Sequence, residues 1–144
     1  MSDDVLTDPS APFPLEPFVR VAELETFNRF AAVNDEFVDF HMDDAAAVHK
    51  GFPRAIAMGN LTFAWLHCFV RDAFEGRGQI LQMTCEFRSP VLRGDTVTCR
   101  GETVGIEKSA GGTVYDLDVW AENESGDRVT KASAKVVVGK GPED

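Results

Sequence analysis

The sequence predicts an α+β chain in which an antiparallel β-sheet wraps around one long central apolar helix. Three observations predict it. Residues 59–75, GNLTFAWLHCFVRDAFE, have apolar side chains on nearly every helical face, the pattern of a helix buried in a core or against a partner. The chain then changes to strand-like segments rich in β-formers, such as Val97, Val114 and Val119. The turns between them carry Gly94-Asp95, Gly111-Gly112 and Ser125-Gly126-Asp127, which are hairpin signals. Together these predict a four-stranded antiparallel meander around one helix.

The elements follow in order. Residues 1–17 hold Pro9, Pro12, Pro14 and Pro17, four of the seven prolines. Proline lacks an amide donor, so this stretch reads as an extended arm. Residues 18–22 read as a strand that adds to the sheet. Leu24, Phe27, Phe30 and Ala31 recur at helical spacing, so a helix is expected over 23–34. A short helix is expected over 43–50, started by Asp43 or Asp44 and stopped by Gly51. Strands are expected over 79–87, 96–104, 113–121 and 128–138. Residues 18–139 thus form a single domain, with a tail at 140–144. A small sheet around one helix leaves an edge strand open, which favours dimerisation by edge pairing.

Composition narrows the class. A chain of 144 residues that is 44% apolar can bury one sizeable core. It has no apolar run long enough for a membrane span. The acidic, proline-rich start lacks the basic and apolar blocks of a secretory signal, so a soluble cytoplasmic protein is expected. The net charge of -10 repels nucleic acid and anionic membranes. Cys68, Cys85 and Cys99 form no C-x-x-C pair, and their apolar surroundings predict buried free thiols. No tight ligand spacing joins the histidines to Asp39, Asp43 and Asp44, so no metal is expected. His49 and His67 read as structural.

The chemistry concentrates between Glu36 and Thr62. Glu36 precedes His41 by five residues, and GFPRAIAMGN then leads into the apolar helix. This supplies an acid/base pair and, shortly after, a helix N-terminus with its positive dipole end. Those are the parts needed to add water to a thioester-activated double bond, or to remove it.

In these residues the chain resembles the MaoC-like, hydratase-2 group of the hot-dog fold. The family pattern is Asp-x-Asn-Pro-x-His with an Asp two residues on, then Gly-Phe-x-x-x-Ile-Ala-His-Gly-Met. It matches Glu36, Val38, Asp39, His41 and Asp43, then Gly51 to Asn60, with no gap from His41 to Gly59. The stretch from Phe87 to Val97 resembles the family's F-x-x-P-V-x-x-G-D-T. The chain departs by Glu36 for Asp, Val38 for Asn, Asp39 for Pro and Met58 for His. Glu36 in place of Asp moves the carboxylate by roughly 1.5 Å, and errors of that order cost ~100-fold in rate. The pattern is similar to small subunits of heteromeric steroid enoyl-CoA hydratases.

The resemblance implies an enoyl-CoA hydratase or 3-hydroxyacyl-CoA dehydratase, yielding the R hydroxyacyl thioester without organic cofactor or metal. Glu36 and His41 would share the proton transfers, and the Gly59 amide would hold the thioester oxygen. Asn60, Phe40, Phe63 and Arg88 are the candidate substrate contacts. The substrate would be an acyl-CoA or acyl-carrier-protein thioester. Its phosphates require a local basic patch on this acidic chain, for which Arg54, Arg88, Arg93 and Lys108 are available. The partner would be a second copy or another hot-dog chain. Two alternatives stay open: a hot-dog acyl-CoA thioesterase, and a non-catalytic acyl-CoA-binding subunit of a heteromeric hydratase.

Overall fold

The computed structural model describes residues 15–139. The expected arm therefore falls mostly outside the described residues, and the tail at 140–144 wholly so. Strand β1 (Phe18–Val21) leads into helix α1 (Leu24–Asn34), a 3-10 turn (Asp39–His41) and the short helix α2 (Asp44–His49). The central helix α3 (Gly59–Ala73) precedes β2 (Gln79–Phe87), β3 (Thr96–Ser109), β4 (Gly112–Glu122) and β5 (Arg128–Val138).

All five strands join one antiparallel sheet in the order β1-β3-β4-β5-β2. This corrects the expected four-stranded meander. Only β3, β4 and β5 are consecutive neighbours, and β2 pairs with β5 at the far edge, Phe87 opposite Thr130 and Gln79 opposite Val137. Gly94-Asp95 is therefore no hairpin turn. After β2 the chain bonds to β5, Arg88 and Ser89 both donating to the Val129 carbonyl. Pro90 then lacks the N–H to continue a ladder. The segment crosses instead to Ala55–Ala57, with Ala57 N–H on Val91 O at 2.8 Å and Arg93 N–H on Ala55 O at 2.7 Å.

Helix α3 is more one-sided than its composition suggests. It buries Leu61, Thr62, Trp65, Leu66, Phe69, Val70 and Ala73 against the sheet. The facing sheet residues alternate as a half-buried strand must: Tyr115, Leu117, Val119 and Ala121 point in, while Asp116 and Asp118 do not. Burying a side chain such as Phe69 stabilises the fold by about 1.5–3 kcal/mol. Gly101 lets the helix come this close, because a Cβ there would lie 3.2 Å from the Phe69 ring and 2.9 Å from the Asp118 carbonyl oxygen. Cys68 sits on the other side of α3 and is exposed, contrary to the expected buried thiol; Cys85 is half-buried and Cys99 buried. A helix packed on one sheet keeps one face uncovered, whatever its composition.

Candidate active site

Helix α1 ends where Asp35 takes a left-handed backbone at φ 54°, its N–H bonding the Ala31 carbonyl. The chain reverses there and enters the 3-10 turn that carries His41. Asp43 caps α2 by accepting from the Ala46 N–H at 3.1 Å, the role of a short carboxylate at a helix start.

His41 is buried. Its Nδ1 lies 2.9 Å from the Ile56 carbonyl oxygen. A carbonyl only accepts, so Nδ1 carries a proton, which leaves Nε2 as the ring nitrogen available for proton transfer. The Ile56 N–H returns a bond to the Phe40 carbonyl at 3.1 Å, and the Phe40 ring lies 4.5 Å from the imidazole, centroid to centroid. The ring is therefore held on two sides.

His41 and Gly59 line one open cavity of about 360 Å³, together with Thr62, Phe87, Arg88 and Thr130. Gly59 is the first residue of α3, and Met58 before it contributes no side-chain cap. The first amides of a helix have no intrahelical partner and carry the positive dipole end. The Phe87 ring lies over Gly59, with Cζ 3.0 Å from where a Cβ would stand. Thr62 and Thr130 are 2% and 1% exposed, and what little of them is accessible faces this cavity.

Two arginines brace the wall behind this cavity. Asp44 accepts from the Ala55 N–H at 2.9 Å and takes a bidentate grip from Arg93. The Arg93 guanidinium, aided by the Ala55 amide, holds the Asp44 carboxyl down to about 2. Arg54 Nη2 donates to buried Asp95 at 3.0 Å, and Asp95 also accepts from the Leu92 N–H at 2.9 Å. These bonds tie α2 to the β2–β3 connection, so the two walls of the cavity share one frame.

Residues 7–124 match the family described as MaoC like domain. The chain belongs to this MaoC-like domain family. A curated relative, the (R)-specific enoyl-CoA hydratase of Aeromonas caviae, is 31% identical over 80 residues, which is 55% of this chain and 60% of the relative. The match thus spans less than two thirds of that protein. Among solved structures, the A. caviae (R)-hydratase involved in PHA biosynthesis superposes with a TM-score of 0.81 at 21% identity, covering 90% of this chain and 96% of that one. The ChsH1-ChsH2 complex of Mycobacterium tuberculosis gives 0.78 at 19% identity, covering 88% and 95%. The HadBC (3R-hydroxyacyl-ACP dehydratase) complex from the same organism gives 0.73 at 17%, covering 87% and 94%. These likenesses establish the hot-dog fold.

The MaoC-like domain brings three of the expected site residues, His41, Gly59 and Arg88, onto one cavity. Glu36 is half-buried in the connection after α1 and is not among the cavity's lining residues. The Phe40 ring lies tilted against His41, at 58° between planes. Asn60 and Phe63 line a separate groove between α1 and α3, with Phe30, His67 and Arg71. Arg54 and Arg93 meet, yet both are engaged by carboxylates; Lys108 lies beside the β3–β4 turn, opposite Thr113. The sequence reading missed Phe87 and Thr130 as cavity residues. Their signal was present only as a strand end and a β-branched residue, and strand pairing brought them together. His67 makes the local hydrogen bond expected of it, its Nδ1 bonding the Phe63 carbonyl at 3.0 Å. Among the described residues no group of His, Cys, Asp and Glu side chains gathers as a metal site, and no helix is long and apolar enough to cross a membrane.

Proposed function

We propose that this MaoC-like domain adds water to 2-enoyl thioesters, or removes it from 3-hydroxyacyl thioesters. One observation carries the reading: a buried imidazole with Nδ1 tied to a carbonyl shares a cavity with the uncapped amide of Gly59. In hydration, His41 Nε2 takes a proton from water as the water oxygen bonds to the β-carbon. The C=C electron pair shifts toward the thioester oxygen, where the Gly59 N–H and the dipole of α3 offset the charge. The α-carbon then takes a proton back from the His41–Glu36 pair, which held the one removed from water, and the thioester carbonyl reforms. No bond in this sequence needs a metal or an organic cofactor.

Glu36 is assigned the second proton-handling role. It does not line the cavity, so it acts through a water shared with His41. Arg88, half-exposed at the rim, is the contact for the phosphates of a coenzyme A or acyl-carrier-protein arm. The name of the A. caviae relative and the titles of the HadBC and ChsH1-ChsH2 structures agree with an enoyl or hydroxyacyl thioester substrate.

The last two are also complexes of named chains, which supports a hot-dog partner for this one. The open edge of β2, with Leu81 and Phe87 about half-exposed, is where a further strand would pair.

A second reading is favoured by Glu36 standing off the cavity: the chain would bind acyl thioester while a partner subunit supplies the carboxylate. The test is a panel of trans-2-enoyl-CoA thioesters, from short-chain to steroid-bearing. Enoyl absorbance and free thiol are followed for wild type, His41→Ala and Glu36→Gln. Absorbance lost without thiol release, and abolished by His41→Ala, is the expected result. Thiol release would instead identify a thioesterase. Activity untouched by Glu36→Gln would remove Glu36 from the mechanism. A folded, inert wild type would transfer the chemistry to a partner.

A further inference from the structure

Thr62 stands three residues after Gly59 on α3, and both line the cavity. Residues three apart share a helix face, and helical side chains tilt toward the N-terminus. The Thr62 side chain is thereby directed back toward the Gly59 amide. A threonine in a helix ordinarily returns its hydroxyl bond to the carbonyl four residues earlier. Here that carbonyl, on Met58, accepts from the Leu61 N–H at 3.0 Å. The Thr62 hydroxyl makes no such bond, and although the residue is only 2% exposed its hydroxyl is not sealed off but keeps access from the cavity. A hydroxyl that opens onto a cavity without a protein partner is available to bond what enters it. It lies on the wall of a cavity beside an equally unpartnered amide.

We infer that the Thr62 hydroxyl is a second donor to the thioester carbonyl, paired with the Gly59 N–H. Bound thioester accepts from both donors at once, and the two hydrogen bonds shorten as negative charge develops on the oxygen. This assignment rests on the proposed thioester chemistry and extends it. It makes Thr62 a catalytic residue rather than a packing residue. It also explains why a polar side chain occupies the buried face of an otherwise apolar helix.

The experiment compares wild type, Thr62→Val and Thr62→Ser on trans-2-enoyl-CoA. Valine keeps the shape and removes the donor; serine keeps the donor and removes a methyl. Thermal melts verify folding, and Thr62→Ala is read in place of valine where valine does not fold. Thr62→Val is expected to lower kcat by about 10- to 100-fold with KM little changed, since one lost oxyanion donor acts mainly in the transition state. Serine is expected to restore most of the rate. Infrared spectra of bound butyryl-CoA, saturated and so inert to hydration, give a readout that packing does not move. The carbonyl stretch should fall on binding to wild type and fall less with Thr62→Val.

An active wild type whose kcat and carbonyl shift survive Thr62→Val overturns the Thr62 role alone. An inert wild type with no carbonyl shift overturns both readings. An inert wild type whose shift is lost in Thr62→Val keeps the donor role and overturns stand-alone hydration.

Discussion

The imidazole Nδ1 of His41 bonds the carbonyl oxygen of Ile56 at 2.9 Å, across 15 residues of chain. Ile56 in turn bridges Leu92 on the far side. One peptide unit therefore orients the histidine and is itself held by the β2–β3 connection.

His41→Ala removes the proposed base and also leaves the Ile56 carbonyl without its donor. Enoyl turnover should fall by about 10²- to 10⁴-fold. Stability should fall by about 1–3 kcal/mol, the range for a buried acceptor that loses its partner. Turnover assays and urea denaturation read the two effects separately. Full stability in the variant would show that water replaces the imidazole at Ile56.

Gly59→Ala meets the Phe87 ring, whose Cζ stands 3.0 Å from the new methyl position. Phe87 is about half-exposed and can swing outward. Stability should therefore change by less than about 1 kcal/mol, with helix propensity offsetting the crowding. Activity should fall because the methyl and the displaced ring narrow access to the amide. Adding Phe87→Leu should recover part of that loss in kcat/KM. An unchanged rate in Gly59→Ala would remove the amide from the reaction.

Asp44 sets a pH dependence. Arg93, then the Ala55 amide, hold its carboxyl down from 3.8 to about 2. A carboxyl with a depressed folded-state value stabilises the fold above its unfolded value. That contribution is complete above 3.8 and is lost as pH falls toward about 2. Asp44→Asn should be less stable than wild type at neutral pH, and the gap should close through this window. Denaturation midpoints across an acid series measure it. A gap that persists at the acid end would assign the effect to packing rather than charge.

The thiols should react in a fixed order. Cys68 is exposed, burial raises the Cys85 thiol, and burial pushes Cys99 up to about 12. Reactivity follows access and thiolate content. A thiol reagent at mild alkaline pH should label Cys68 first, Cys85 slowly and Cys99 only after unfolding. Peptide mass spectrometry reads the sites. Early labelling at Cys99 would mean that the β1–β3 edge opens in the native state.

Local order was legible in the residues. Helical spacing of Phe27 and Ala31 placed α1, Asp43 or Asp44 marked the start of α2, and the change of period placed β2 and β5 at their observed bounds. The spacing from His41 to Gly59 carried the site because those residues are linked by a short, gapless stretch. The backbone period and the cap chemistry act within a few residues, so they can be read without a structure.

Partner choice was not legible. Both β3 and β5 were chemically acceptable neighbours for β2, and the crossing at Pro90 to Ala55–Ala57 decided for β5. That pairing brought Phe87 and Thr130 to the cavity, while the turn after α1 left Glu36 off its wall. The Asp44–Arg93 grip spans 49 residues, and Thr62 became distinctive only once it lined one cavity with Gly59 and His41. The sequence by itself thus determined the elements, the family and the histidine-to-glycine spacing. Tertiary structure decided strand order, exposure of Cys68 and the membership of the cavity, because each depends on which distant surfaces exclude water together.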